Sequence, residues 1–174
     1  MSSIYDELDF DLEAFQNHYI MSPQLWSRFN VDDLKDVDFS NWKTIKLIKD
    51  ASGQFSDKVN DVPNDIGGIY VYSIEPQIIP NCGSYIMYIG MTSKQSLRKR
   101  VKQYQIETGN NFKREKLHRL FLKWGEYVYL HFLPIDATDE IIETVEDRLI
   151  AALIPPCNPK IRVETIKQAV KAFR

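Results

Sequence analysis

Hydrophobic positions along the chain change their period several times, and each change marks an element. Over Gly68–Ile74 (Gly-Ile-Tyr-Val-Tyr-Ser-Ile) and residues 85–90 (Tyr-Ile-Met-Tyr-Ile-Gly), β-branched and aromatic residues crowd into two short runs, which is the composition of strands. Turn formers bound both runs: Asp65 and Gly67 before, Pro80, Asn81 and Gly83 between, Gly90 and Ser93 after. The pair reads as a hairpin with a long loop. From Ser96 the period becomes helical. Ser96 can cap, Leu97, Val101 and Tyr104 recur at i, i+4 and i+7, and Arg98, Lys99, Arg100 and Lys102 supply charge. A turn at 107–111 containing Gly109 leads to a second helical pattern over 113–124. There Leu117, Leu120, Phe121 and Trp124 face inward, Lys113, Arg114, Lys116 and Lys123 outward, and Gly125 ends the helix. Residues 127–133 form a third apolar-aromatic strand, ended by Pro134. Thr138 then caps a helix with a buried stripe of Ile142, Val145, Leu149 and Ala152, stopped by Pro155-Pro156. Asn158-Pro159 turns the chain, and residues 164–173 predict a closing helix.

The first 65 residues are patterned differently. Residues 1–20 interleave Asp6, Glu7, Asp9, Asp11 and Glu13 with Tyr5, Leu8, Phe10, Leu12, Phe15, Tyr19 and Ile20, an acidic amphipathic segment suited to docking on the domain or on a partner. Ser22-Pro23 fits a helix start leading to Leu25, Trp26 and Phe29, with the two aromatics expected as core anchors. Trp42, Ile45, Leu47 and Ile48 mark a short apolar segment for which a strand is one reading, and 51–65 reads as a loop. A free acidic tail seldom carries so many aromatics. The expectation is an N-terminal extension, 1–65, packing on a domain formed by 66–174.

A chain of 174 residues suits one domain with or without an extension. It has no internal repeat, no run of 18 apolar residues and no basic-then-apolar leader, so a soluble cytoplasmic protein without a membrane partner is expected. Cys82 and Cys157 make neither a disulfide framework nor a metal-ligand pair by spacing. The formal net charge of −2 hides a division: residues 1–65 carry 6 basic and 13 acidic side chains, residues 66–174 carry 16 and 11. Between Lys94 and Lys123 ten basic residues face only Glu107 and Glu115. That is the electrostatic footprint of a phosphate-docking surface, with a solvated helix face as the competing reading.

Gly68-Ile69-Tyr70 and Tyr88-Ile89-Gly90 resemble the two halves of the motif that names the GIY-YIG nucleases. Further elements follow in the family's order. Leu97-x-x-Arg100 opens a helix, and the stretch from Glu146 through Leu149-Ile150 to Pro155-Pro156-Cys157-Asn158 is similar to the family's Glu-x-x-Leu-Ile…Pro-Pro-x-Asn. The resemblance spans residues 66–161 and implies an α/β (α+β) fold: a small three-stranded, mainly antiparallel sheet flanked by helices, here with an N-terminal extension.

The activity implied is a metal-dependent endonuclease hydrolysing phosphodiester bonds in nucleic acid, DNA ahead of RNA. A catalytically inactive nucleic-acid-binding or regulatory module of the same fold is the alternative. By resemblance Tyr70 activates or orients water, Tyr88 assists by hydrogen bonding, Arg100 holds the scissile phosphate, Asn158 supports the site, and Glu146 binds Mg²⁺ or Mn²⁺. Such a cation often takes only one or two carboxylates. A tyrosine ordinarily titrates near 10, so a basic role for Tyr70 calls for nearby positive charge. Arg100 has the planar fork for two phosphate oxygens. Arg98 competes for that register, because the loop after Gly90 is about two residues longer than the common family spacing. Asn158 is also a plausible turn residue before Pro159. Lys94, Arg98, Lys99, Lys102, Tyr104, Lys113, Arg114 and Lys116 are the expected nucleic-acid contacts. His118 and His131 lack metal-ligand partners at suitable spacing and are expected to be structural or surface residues. Seventeen residues separate Tyr70 from Tyr88, making 75–84 an insertion. With no zinc-finger spacing present, sequence recognition would have to come from that loop, from the first 65 residues, or from a homodimer or protein partner engaged through the extension.

Overall fold

Strand β2, Gly68–Ile74, is buried at every position, because it lies inside a sheet covered on both faces. That explains a continuous apolar run where a half-exposed strand would alternate. The computed structural model describes residues 17–158, apart from 31, 33, 36, 51, 52, 80–82 and 110, together with 166–168. In chain order the elements are a four-residue helix α1 (Pro23–Trp26), β1 (Lys43–Lys46), β2, β3 (Tyr85–Thr92), α2 (Leu97–Lys102), α3 (Glu115–Trp124), β4 (Val128–Pro134) and α4 (Asp139–Leu153). The fold is α+β, and its sheet is antiparallel with the order β1-β4-β2-β3.

The sheet has four strands, one more than expected. The extra strand, Lys-Thr-Ile-Lys, has only Ile45 to bury and pairs with β4 from Lys43↔Phe132 to Lys46↔Tyr129. Its strand character comes from that distant partner and not from local pattern. The chain then turns inward, with Leu47 and Ile48 fully buried and Leu47 N–H donating to the Val128 carbonyl at 3.0 Å. Residues 51–65, expected as a loop, contain a 3-10 turn at Asp57–Asp61 whose Val59 is buried, as is the following Val62.

Two apolar layers sandwich the sheet. On one face α2, the 3-10 turn that follows it and α3 pack Leu97, Val101, Tyr104, Leu117 and Leu120 against Tyr70, Tyr72 and Phe132. On the other, α4 packs Ile142, Val145 and Ile150 against Ile69, Val71 and Ile89. Ser96 caps α2 as expected, accepting from Lys99 N–H at 3.3 Å, but the α-helix stops at Lys102 and continues as a 3-10 turn through Thr108. Thr138 precedes α4 without a side-chain cap bond; its carbonyl instead accepts from Ile141 and Ile142. Trp26, expected as a core anchor, is 43% exposed, since a one-turn helix has little face to bury. Phe29 makes an edge-on contact with Phe39.

The acidic segment up to residue 16, Cys82 and Pro159 lie outside the described residues. So does the expected helix over 164–173 except for 166–168, which are helical. Among the described residues no helix is long and apolar enough to cross a membrane.

Candidate functional site

Tyr70 and Tyr72 are two apart on β2 and therefore share a face. Opposite them, register pairs Tyr70 with Gly90 and Tyr72 with Tyr88, and a bulge follows, so that Ser73 meets Ile86 and Met87 is the extra residue. The bulge puts both Met87 and Tyr88 against the α2–α3 layer. Both motif glycines have steric reasons. A Cβ at Gly90 would lie 2.5 Å from the Tyr70 ring and hydroxyl. Gly68 has φ +144°, and a Cβ there would collide with the Leu133 carbonyl.

Tyr104, from the 3-10 turn after α2, completes a cluster of four tyrosines. Its hydroxyl lies 2.7 Å from that of Tyr70 and 3.3 Å from that of Tyr88. Arg100 Nε donates to the Tyr70 hydroxyl at 3.1 Å, and Arg100 Nη1 donates to Gln103 Oε1 at 3.2 Å. The guanidinium carbons of Arg100 and Arg114 lie 5.2 and 4.7 Å from the Tyr104 ring centroid, within cation–π range. Arg114 is held in turn by Glu107, a fully buried carboxylate. It accepts from Lys113 N–H at 3.0 Å, Arg114 N–H at 2.9 Å and Arg114 Nη1 at 3.3 Å.

From the sheet's other side, the segment after α4 brings in Asn158. Its amide embraces the Ile89 backbone: Ile89 N–H donates to Oδ1 at 2.9 Å, and Nδ2 donates to the Ile89 carbonyl at 2.7 Å. Glu146 is half-buried on α4. Its charge reaches Tyr88, whose phenol is pushed above its usual range chiefly by burial and by Tyr104, with Glu146 adding and Arg114 opposing. Tyr70 is likewise well above the tyrosine range, through burial first, then Tyr104 and Tyr88; Arg100 pulls down without prevailing. Arg100 by itself therefore does not make Tyr70 a base, and beside it Tyr70 stays a neutral phenol at neutral pH.

Hydrogen bonds therefore link Arg100, Tyr70, Tyr104 and Tyr88 on one face of the sheet, Asn158 holds the β3 backbone beside Tyr88, and Glu146 is near enough for its charge to act on Tyr88. Arg98, the competitor for that register, has no bond to the tyrosine network among those described; its Nε donates to the Val62 carbonyl at 2.7 Å. Tyr104, expected as a nucleic-acid contact, is fully buried and serves as the hub of the hydroxyl network. Lys94, Lys99, Lys102, Lys113 and Lys116 are exposed. Lys102 Nζ donates to Asn60 Oδ1 at 2.9 Å, and Lys116 Nζ to the Pro156 carbonyl at 2.8 Å. His118 stacks on Phe112 and bonds the Glu107 carbonyl through Nδ1. His131 joins Ser73, Glu75 and Thr44, and burial pushes its imidazole below its usual value against the pull of Glu75. The Cys157 thiol is buried and pushed up to about 11, a packing residue and not a reactive one.

Sequence reasoning missed Tyr72 and Glu107. Alternation with Tyr70 marks Tyr72. Among the described residues its hydroxyl is buried without a hydrogen-bond partner. Tyr72→Phe should therefore be neutral or stabilising by about 1 kcal/mol, read as a rise in the urea midpoint. A loss above about 1 kcal/mol would show that the hydroxyl is satisfied.

Among the described residues no group of three or more His, Cys, Asp or Glu side chains is placed to hold a metal. Glu146, the residue expected to hold a cation, is a half-buried carboxylate on α4. No protein-family model matches the chain, and neither a curated protein nor a solved structure matches it.

Proposed function

We propose that this chain is a metal-dependent endonuclease of the GIY-YIG type, hydrolysing phosphodiester bonds in nucleic acid, DNA ahead of RNA. The observation that carries the reading is the bonded network in which Arg100 donates to Tyr70 while Tyr70 and Tyr88 share Tyr104. Arg100 spends Nε on Tyr70 and one Nη1 hydrogen on Gln103, so a guanidinium held at fixed angle still has N–H groups to give to phosphate oxygens. Arg114, oriented by Glu107, supplies a second positive charge on the same ring. Tyr88, less buried than Tyr70, is the phenol placed to hydrogen-bond a phosphate oxygen or the attacking water. Tyr70 acts as a neutral phenol that holds Arg100 and Tyr104 in place. A cation on Glu146 would neutralise phosphate charge and lower the pKa of water.

One observation favours the alternative, a nucleic-acid-binding or regulatory module without cleavage: Tyr70 is fully enclosed, with its hydroxyl engaged by Arg100 and Tyr104. Cleavage of supercoiled plasmid separates the two readings. Wild type with Mg²⁺ or Mn²⁺ should nick or linearise the plasmid, chelator should stop it, and Glu146→Ala should bind without cutting. Salt-sensitive binding with no cutting by either protein, on substrates including branched DNA and RNA, would establish the binding module instead.

A further inference from the structure

The two segments that the proposed chemistry does not use, the described start of the chain and the 75–84 insertion, meet at one cavity. It measures about 470 Å³ and is lined by eight residues, among them Asn17, Tyr19, Ile78, Tyr85, Trp124 and Tyr127. Resting on the nuclease reading, we infer that this cavity receives an unstacked nucleobase, so that the preferred substrate carries an unpaired nucleotide beside the phosphate that is held.

Size, lining and position all support this. The volume falls within the range of small-molecule sites. Four of the eight lining residues are aromatic and none is charged, which suits the face of a base and not a phosphate. The Tyr19 and Tyr85 rings lie 6.0 Å apart at 51°, so neither covers the other, and Tyr19, Tyr85 and Tyr127 are 41%, 49% and 47% exposed. The wall is anchored: the Tyr19 hydroxyl donates to the sulfur of Met87, the residue before Tyr88. Ile74, which also lines the cavity, lies on the same sheet face as Tyr70 and Tyr72. Tyr85 is three residues along β3 from Tyr88, on the order of 10 Å. That is too far for the nucleotide whose phosphate is held and near enough for a neighbour. A paired base is committed to its stack, so the cavity selects one that is bulged, mismatched or single-stranded.

The test is equilibrium binding in chelator by the full chain to three probes: a perfect duplex, the same duplex with one bulged 2-aminopurine, and a single strand containing it. Wild type should bind the bulged duplex about tenfold or more tighter than the perfect one, with quenched 2-aminopurine emission. In Tyr127→Ala and Tyr85→Ala, both at exposed positions and checked by thermal unfolding, the bulged-to-perfect ratio should fall towards one and the quenching should disappear. Equal wild-type affinity for the two duplexes, or a preference that survives both substitutions, overturns the base pocket and leaves the nuclease reading intact. No affinity for any probe at low salt overturns both.

Discussion

Replacing Gly90 with alanine is expected to cost about 3 kcal/mol of stability and to abolish any activity that depends on Tyr70. The added methyl would sit 2.5 Å from Tyr70 Cζ and Oη and 2.8 Å from its Cε2. A flexible side-chain end could swing aside. The Tyr70 ring cannot, because it is fully buried and its hydroxyl is bonded to both Tyr104 and Arg100. Either the ring leaves the network or β3 separates from β2, and overpacking of this kind costs 1–3 kcal/mol or more. Urea unfolding measures it, as a lower midpoint with little change in slope. A double-mutant cycle isolates the cause: in a Tyr70→Leu background the same Gly90→Ala change should cost less than half as much. A cost independent of residue 70 would place the clash elsewhere.

Glu107→Ala should cost about as much by a different mechanism. The carboxylate is fully buried and satisfies two backbone N–H groups and the Arg114 guanidinium at once. Alanine leaves the two amides short of an acceptor, at about 1–3 kcal/mol for a buried donor, and deprives Arg114 of its counter-charge. Because Arg114 is half-exposed and can find water, the loss should stay below the 3–5 kcal/mol typical of breaking a fully buried pair. About 3 kcal/mol corresponds to a melting temperature roughly 6–12 °C lower for a chain of this size. On the proposed function, nucleic-acid affinity should fall with it, since Arg114 over Tyr104 is oriented by Glu107. Arg114→Ala should reproduce the binding loss with a smaller loss of stability. If Glu107→Ala melts within 2 °C of wild type, the buried carboxylate is not the support described.

Much of this was legible in the sequence, for identifiable reasons. The α2 face could be read because Leu97, Val101 and Tyr104 carry the helical period themselves. The hairpin could be read because β2 and β3 are dense in residues that favour a pleated surface. Strand β1 was open to either reading: four residues with a lysine at each end become a strand only because β4 is there to pair with them. Trp26 misled because aromatic character says nothing about whether a one-turn helix has a surface to lie on. The motif pointed to Tyr70, Tyr88, Arg100 and Asn158; that Arg100 bonds Tyr70 while Arg98 bonds the Val62 carbonyl needed the fold. Glu107 was visible only as one of two acids in a basic run; its burial depends on the return of the Lys113 and Arg114 backbone to its carboxylate, which periodicity does not encode.

Asn158 has a consequence beyond the site. Strand β3 is the last in the sheet, so its outward backbone groups are a template on which another chain could add a strand. The Asn158 amide takes both groups of Ile89, and Cys157 N–H takes the Met87 carbonyl at 2.9 Å, so two residues of irregular chain stand where a fifth strand would pair. The same side chain that steadies β3 beneath the tyrosines thereby blocks this edge of the sheet at Met87 and Ile89, where a strand rich in isoleucine and tyrosine would otherwise invite pairing.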